Sequence, residues 1–140
     1  MSDTGPVPKK RRRSLATAKA AGAEFERVVA DTLKHHLNDD GIDRQVKMGA
    51  KDLGDIRGVK LHGQRIAIEV KNTSSSNLPQ ALREAEVERG NLDALAGVVV
   101  SKRHGIGYTR PLEQLVSMTL GEFIALLTAS REHYDEGAES

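Results

Sequence analysis

The chain has no cysteine and no tryptophan, and only two phenylalanines and two tyrosines among its 140 residues. Without cysteine there are no disulfides, no thiolate zinc sites and no thiol nucleophile, a composition that suits a reducing compartment. With aromatics at 3%, a core has to be assembled from Val, Ile, Leu and Ala. No apolar run approaches the ~20 residues of a membrane-spanning helix, and the N-terminus lacks the apolar segment of a secretory signal. These absences lead to the expectation of a soluble cytoplasmic protein, long enough for one domain with a single core.

Nor is there a large excess of charge of either sign. The net charge is +1, but it is unevenly spread. Lys9, Lys10, Arg11, Arg12 and Arg13 face only Asp3 in residues 1–13, the last ten residues are acidic, and the body between them is neutral. Residues 1–13 read as a basic disordered tail, either merely solubilising or a phosphate-binding arm that adds affinity and salt dependence. The same run matches the pattern of a nuclear-import signal. Residues 14–130 read as one domain, and residues 131–140 as an acidic C-terminal tail that frays.

Hydrophobic periodicity places a helix from Ser14 to about Leu37, with Phe25, Val28, Val29, Leu33 and Leu37 on one face and Asn38-Asp39-Asp40-Gly41 ending it. Glu24, Arg27 and Asp31 fall on the far side. Glu26 falls between Leu33 and Leu37, where an acid needs either a salt-bridge partner or a nearby cation site. Gly22 is on the packed face and would permit close approach to a sheet. Residues 43–48 suit a short edge strand. Asn77 or Ser76 caps a second helix of about residues 78–89, with Pro79 in its first turn; its Glu84, Glu86 and Glu88 read as a solvated surface. Leu95 to Ser101 is a continuous apolar run, as in a strand buried on both faces. Lys102 and Arg103 follow it, and the glycines around Ile106 read as a turn. A last strand over residues 113–118 leads to Thr119-Leu120-Gly121-Glu122, whose capping-box spacing starts a final helix.

The chemistry concentrates in Gly54-Asp55-Ile56-Arg57 and Ile66-Ala67-Ile68-Glu69-Val70-Lys71. Side chains alternate across a strand, so Glu69 and Lys71 share one face while Ile66, Ile68 and Val70 share the other. A two-residue His62-Gly63 turn would set Asp55 opposite Val70, on the wrong face. A three-residue Leu61-His62-Gly63 loop with a bulge sets Asp55 opposite Glu69 and Ile56 opposite Ile68, and is the expected register. Opposed carboxylates at ~4 Å repel by roughly 4 kcal/mol at an effective dielectric near 20. Without a cation the arrangement is costly, whereas hydrolysis of a phosphodiester calls for a hard cation held by oxygen ligands.

Helical Gly22-x-x-x-Glu26-Arg27, then Gly54-Asp55, then Glu69-Val70-Lys71, then a helix and a buried strand, resembles the PD-(D/E)XK nuclease superfamily. Within it, the chain most resembles the small Holliday junction resolvases of archaea and their phage relatives, over about residues 19–102. The resemblance implies an α/β, restriction-endonuclease-like fold, with a central mixed β-sheet of about five strands flanked by helices. It implies that Asp55 and Glu69 bind Mg²⁺, with Mn²⁺ able to substitute, that the Val70 carbonyl is a further ligand, and that Glu26 completes the acidic cluster directly or through water. Lys71, as an ammonium, would orient water and stabilise transition-state charge. Glu86 is a minor candidate near the site.

Two departures stand out: Gly54 occupies the place of the motif proline, and no serine precedes Asp55 in the loop. Substrate contact would then fall to Lys47 or Lys51, with Lys102, Arg103 and the basic tail as further DNA-binding candidates. The implied activity is Mg²⁺-dependent cleavage of four-way junctions by paired symmetric nicks, in DNA recombination and repair, by a homodimer. The location would be the bacterial host cytoplasm if the chain is phage-encoded. The alternatives are another nuclease of this superfamily acting on linear or flapped DNA, and a non-catalytic DNA-binding module.

Overall fold

The computed structural model describes residues 14–47, 49–73 and 77–139, with side chains to 136. The basic cluster Lys9 to Arg13 lies outside these residues. Helix α1, Leu15–Leu37, begins where the Ser14 hydroxyl accepts the Thr17 amide at 3.1 Å and ends at Asn38, in the left-handed region with φ 50°. Lys34, His35 and His36 in its last turn complement the helix dipole. Phe25, Val29 and Ala30 are buried and Leu33 is partly so, but Leu37 is half exposed, so the packed stripe ends one turn earlier than periodicity suggests. Gly22 does not serve close packing: a Cβ there would meet nothing within 4 Å.

The described residues form an α/β fold with a mixed, open sheet. Strands β1 (Asp43–Arg44), β2 (Ile56–Arg57), β3 (Lys60–Leu61), β4 (Gln64–Lys71), β5 (Ala96–Ser101) and β6 (Leu115–Ser117) are arranged in the order β1-β2-β4-β5-β6, with β3 paired to β4. The expected edge strand is thus shorter than residues 43–48; β1 holds two residues, and Met48 is outside the described residues. Only β4 and β5 run parallel, joined by helix α2, Leu78–Leu92, which Asn77 caps and Pro79 enters at its first turn. All six residues of β5 are buried, as its continuous apolar sequence suggests. One sheet face, with Ile66, Ile68, Val70, Val98 and Val100, packs on α1; the other meets Ala81 and Ala85 of α2 through Val99. The close approach falls at Gly97, where a Cβ would stand 2.7 Å from the Ala85 carbonyl oxygen.

The expected hairpin register is present at the motif but is reached by a different device. The turn has two residues, not three: His62 and Gly63 are both left-handed, at φ 49° and 79°, and Leu61 pairs with Gln64. Further along, Ile56 pairs with Ile68, which requires one extra residue on the β2–β3 side. That bulge falls at Gly58-Val59. Gly58 has φ 89°, and a Cβ on it would clash with the Gly41 carbonyl oxygen at 2.4 Å.

Beyond β5, a 3-10 turn (Pro111–Glu113) precedes β6, and Thr119 caps helix α3, Leu120–Thr128. Glu122 does not return to the cap as a capping box would. Its carboxylate turns inward, accepting from the Gly97 amide at 2.9 Å, from Arg131 at 3.1 Å and from the Tyr134 hydroxyl. These bonds hold the segment expected to fray as helix α4, Glu132–Glu139. None of the helices among the described residues is long and apolar enough to cross a membrane.

Candidate metal centre

The register at Ile56–Ile68 sets Asp55 against the Ile68–Val70 stretch of β4. The Asp55 amide donates to the Ile68 carbonyl at 2.8 Å, and its Oδ2 accepts the Val70 amide at 2.7 Å. Asp55 thereby stands in for a backbone acceptor in the ladder and keeps Oδ1 for other use. Burial raises its pKa above the ordinary carboxylate range against the Val70 hydrogen bond, and the Asp52 charge adds to the rise. Gly54 has φ 93°, a value proline cannot adopt, and a Cβ there would lie 3.0 Å from the Ile68 carbonyl oxygen. A proline could not stand at this position.

Glu69 points to the α2 side of the sheet and is 7% exposed. Lys71 lies on the same face, with Nζ 3.7 Å from Glu69 Oε1 and 2.7 Å from Glu84 Oε2. Glu84, expected to be solvated, is held below its ordinary pKa by the Lys71 hydrogen bond. Glu86 faces outward, paired with Arg89 at 2.8 Å, and does not approach the site. The third acid of the helix departs most from the solvated surface expected of it: Glu88 is completely buried, and neither of its oxygens has a hydrogen-bond partner.

Glu88 replaces Asp55 and Glu26 in the tightest acidic group. One oxygen each from Asp52, Glu69 and Glu88 lie within 4.8 Å of one another. Asp52 Oδ1 accepts the Gly54 amide at 3.0 Å, and Asn91 of α2 donates to the Asp52 carbonyl at 2.9 Å, fixing the loop against the helix. Burial pushes the Glu88 carboxyl up to about 8, and the charges of Asp52 and Asp55 push the same way. Once protonated, Glu88 could donate to Asp52; as a carboxylate it has no donor.

Glu26 stands on the other flank. With Asp55, Lys47 and Arg44 it lines an open cleft of about 620 Å³. Its carboxyl is raised by burial and then by Asp55, against the pull of Arg44, whose Nε is 3.7 Å away. Glu26 therefore has the salt-bridge partner that was one of the two answers to its position, and it shares the cleft with Asp55. Val70 supplies its amide to Asp55, and its side chain belongs to the core. Lys47, Lys51 and Arg103 are exposed and Lys102 is half-buried, at separate loops around the sheet.

The donors suit a hard divalent cation: all are carboxylate oxygens, several are held above their ordinary pKa by burial and then by neighbouring acids, and two oxygens of Glu88 are buried without a donor among the described residues. No protein-family model matches the chain, nor does any curated protein or solved structure.

Proposed function

We propose that the chain is a Mg²⁺-dependent DNA endonuclease with a restriction-endonuclease-like fold. The observation that carries this reading is the juxtaposition of Asp55, Glu69 and Lys71 at the end of β4, with Lys71 Nζ 3.7 Å from Glu69 and Asp55 bonded to the intervening Val70 amide. Opposed carboxylates with an ammonium alongside are poor sheet stabilisers and good phosphodiester machinery. The order α1, hairpin, α2, β5, with a parallel β4–β5 pair, supports the same reading.

In this reading Asp55, through its remaining oxygen, and Glu69 hold the cation, with the Val70 carbonyl and Glu26 as further ligands directly or through water. Mg²⁺, when bound, supplies a hard positive charge that polarises the phosphodiester and offsets charge developing on its oxygens. Lys71 orients the attacking water and stabilises the same charge. Glu84 restrains the Lys71 side chain and limits its rotamers. Lys47, on the cleft with Glu26 and Asp55, takes a backbone phosphate. Lys51, Lys102, Arg103 and the basic tail extend the contact along the duplex.

The substrate is branched DNA, in particular the four-way junction. Two symmetric cuts then require a homodimer. The test is cleavage of a fixed four-way junction, a flap and a linear duplex of matched sequence, with Mg²⁺ or Mn²⁺. Junction cleavage that Asp55→Asn abolishes while binding persists is the expected result. Equal cutting of all three substrates would reject the junction preference, and no metal-dependent cutting of any would reject the enzyme.

A further inference from the structure

Helix α2 carries an acid where its packing calls for a small apolar side chain. Ala81, Ala85 and Glu88 are its buried positions, spaced four and three apart on the face that rides over β4 and β5. Placing a carboxylate there without a donor costs several kcal/mol unless a proton or a cation compensates. Among the described residues no cationic side chain is bonded to it: Lys71 is engaged by Glu69 and Glu84, and both Glu88 oxygens are without partners.

We infer that Asp52, Glu69 and Glu88 form a second cation position, on the α2 side of Glu69, that takes Mg²⁺ or Mn²⁺. It is distinct from the Asp55–Glu69 position of the nuclease reading, on which it rests only in sharing Glu69. Three separate elements converge on it, with one oxygen from each acid within 4.8 Å of the others. Glu69 comes from β4 and Glu88 from α2. Asp52 comes from a loop locked by its own hydrogen bond to Gly54 and by Asn91, one turn further along α2. Gly54 brings the loop backbone to the same acid, since a Cβ there would sit at van der Waals contact, 3.5 Å from Glu88 Oε2. Asp52 is exposed, so the position opens to solvent on its side, and water can complete the oxygen shell that a hard cation needs.

The test counts Mn²⁺ on the metal-free, full-length protein without DNA, by loss of the free-ion paramagnetic resonance signal. Among the Mn²⁺ that the wild type binds, one is expected to be weakened about tenfold or more by Glu88→Gln and by Asp52→Asn, and to be retained in Asp55→Asn. A thermal melt accompanies each variant. Asp52 is exposed, so its variant keeps the test open should Glu88→Gln fail to fold. Isotherms of Glu88→Gln and Asp52→Asn that superimpose on the wild type would overturn the inference. Cleavage plays no part in the count, so a chain that cuts no DNA yet loses Mn²⁺ with Glu88→Gln rejects the nuclease and keeps this position. A chain that loses Mn²⁺ only with Asp55→Asn does the reverse.

Discussion

Two buried glutamates on two helices, Glu122 on α3 and Glu88 on α2, began with the same chemistry and met opposite surroundings. Burial alone would raise both. Around Glu122, Arg131, Tyr134 and the Gly97 amide all donate, and its carboxyl ends below the ordinary range. Around Glu88 there is no donor among the described residues, burial is reinforced by the negative charge of Asp52 and Asp55, and its carboxyl is pushed up to about 8. One carboxylate is fully satisfied by the protein and anchors α4; the other is satisfied only by a proton or a cation. Burial by itself therefore says little about role, and the inventory of donors decides it.

The contrast can be broken in several ways. The largest effect expected is on pH dependence of the metal-free protein. Glu88 has its pKa raised on folding, so the folded state holds a proton that the unfolded chain releases, and stability falls as pH rises from the ordinary range near 4.5 through about 8. The loss is on the order of a few kcal/mol, read by urea unfolding at pH 5 and pH 9. Glu88→Gln should flatten that slope; an unchanged slope would mean that Glu88 is not its source.

Glu122→Gln should destabilise by about 3 kcal/mol at pH above the ordinary carboxylate range near 4.5, and by less as pH falls below it, because it strands Arg131 beside a weaker partner; the same unfolding experiment measures it, and a neutral result would put Glu122 in the same category as Glu88. Gly54→Ala should cost about 2 kcal/mol through its positive φ and the Ile68 carbonyl. Smallest is Glu84→Gln, about 0.5 kcal/mol for a partly exposed pair, with a greater effect on turnover if Lys71 needs its restraint.

Much of this arrangement was legible in the sequence where local chemistry decided it. The start of α1 at Ser14 and its end at Asn38, the Asn77 cap and the buried β5 follow from neighbouring residues alone. Ile56 opposite Ile68 was also legible, though the expected three-residue turn was not the cause. The bulge that sets the register depends on Gly58 passing against Gly41, a contact between distant segments that no local pattern reveals. Glu122 was hidden by a capping-box spacing of which only the Thr119 half forms. Glu88 had a signal that went unused: it continues the small-residue face of Ala81 and Ala85, while the neighbouring Glu84 and Glu86 made the whole helix read as solvated. Asp52, on a loop, gains its meaning only from Asn91 and Glu88 across the fold.

Glu69 is common to both proposed cation positions, so it bears the central claim. The most direct measurement is cleavage of a four-way DNA junction by the purified chain as Mg²⁺ is raised from zero, with Glu69→Gln alongside. Cleavage that rises with Mg²⁺, stops with chelator and is lost in Glu69→Gln while junction binding persists is the result expected. Cleavage independent of metal, or undiminished in Glu69→Gln, would contradict it.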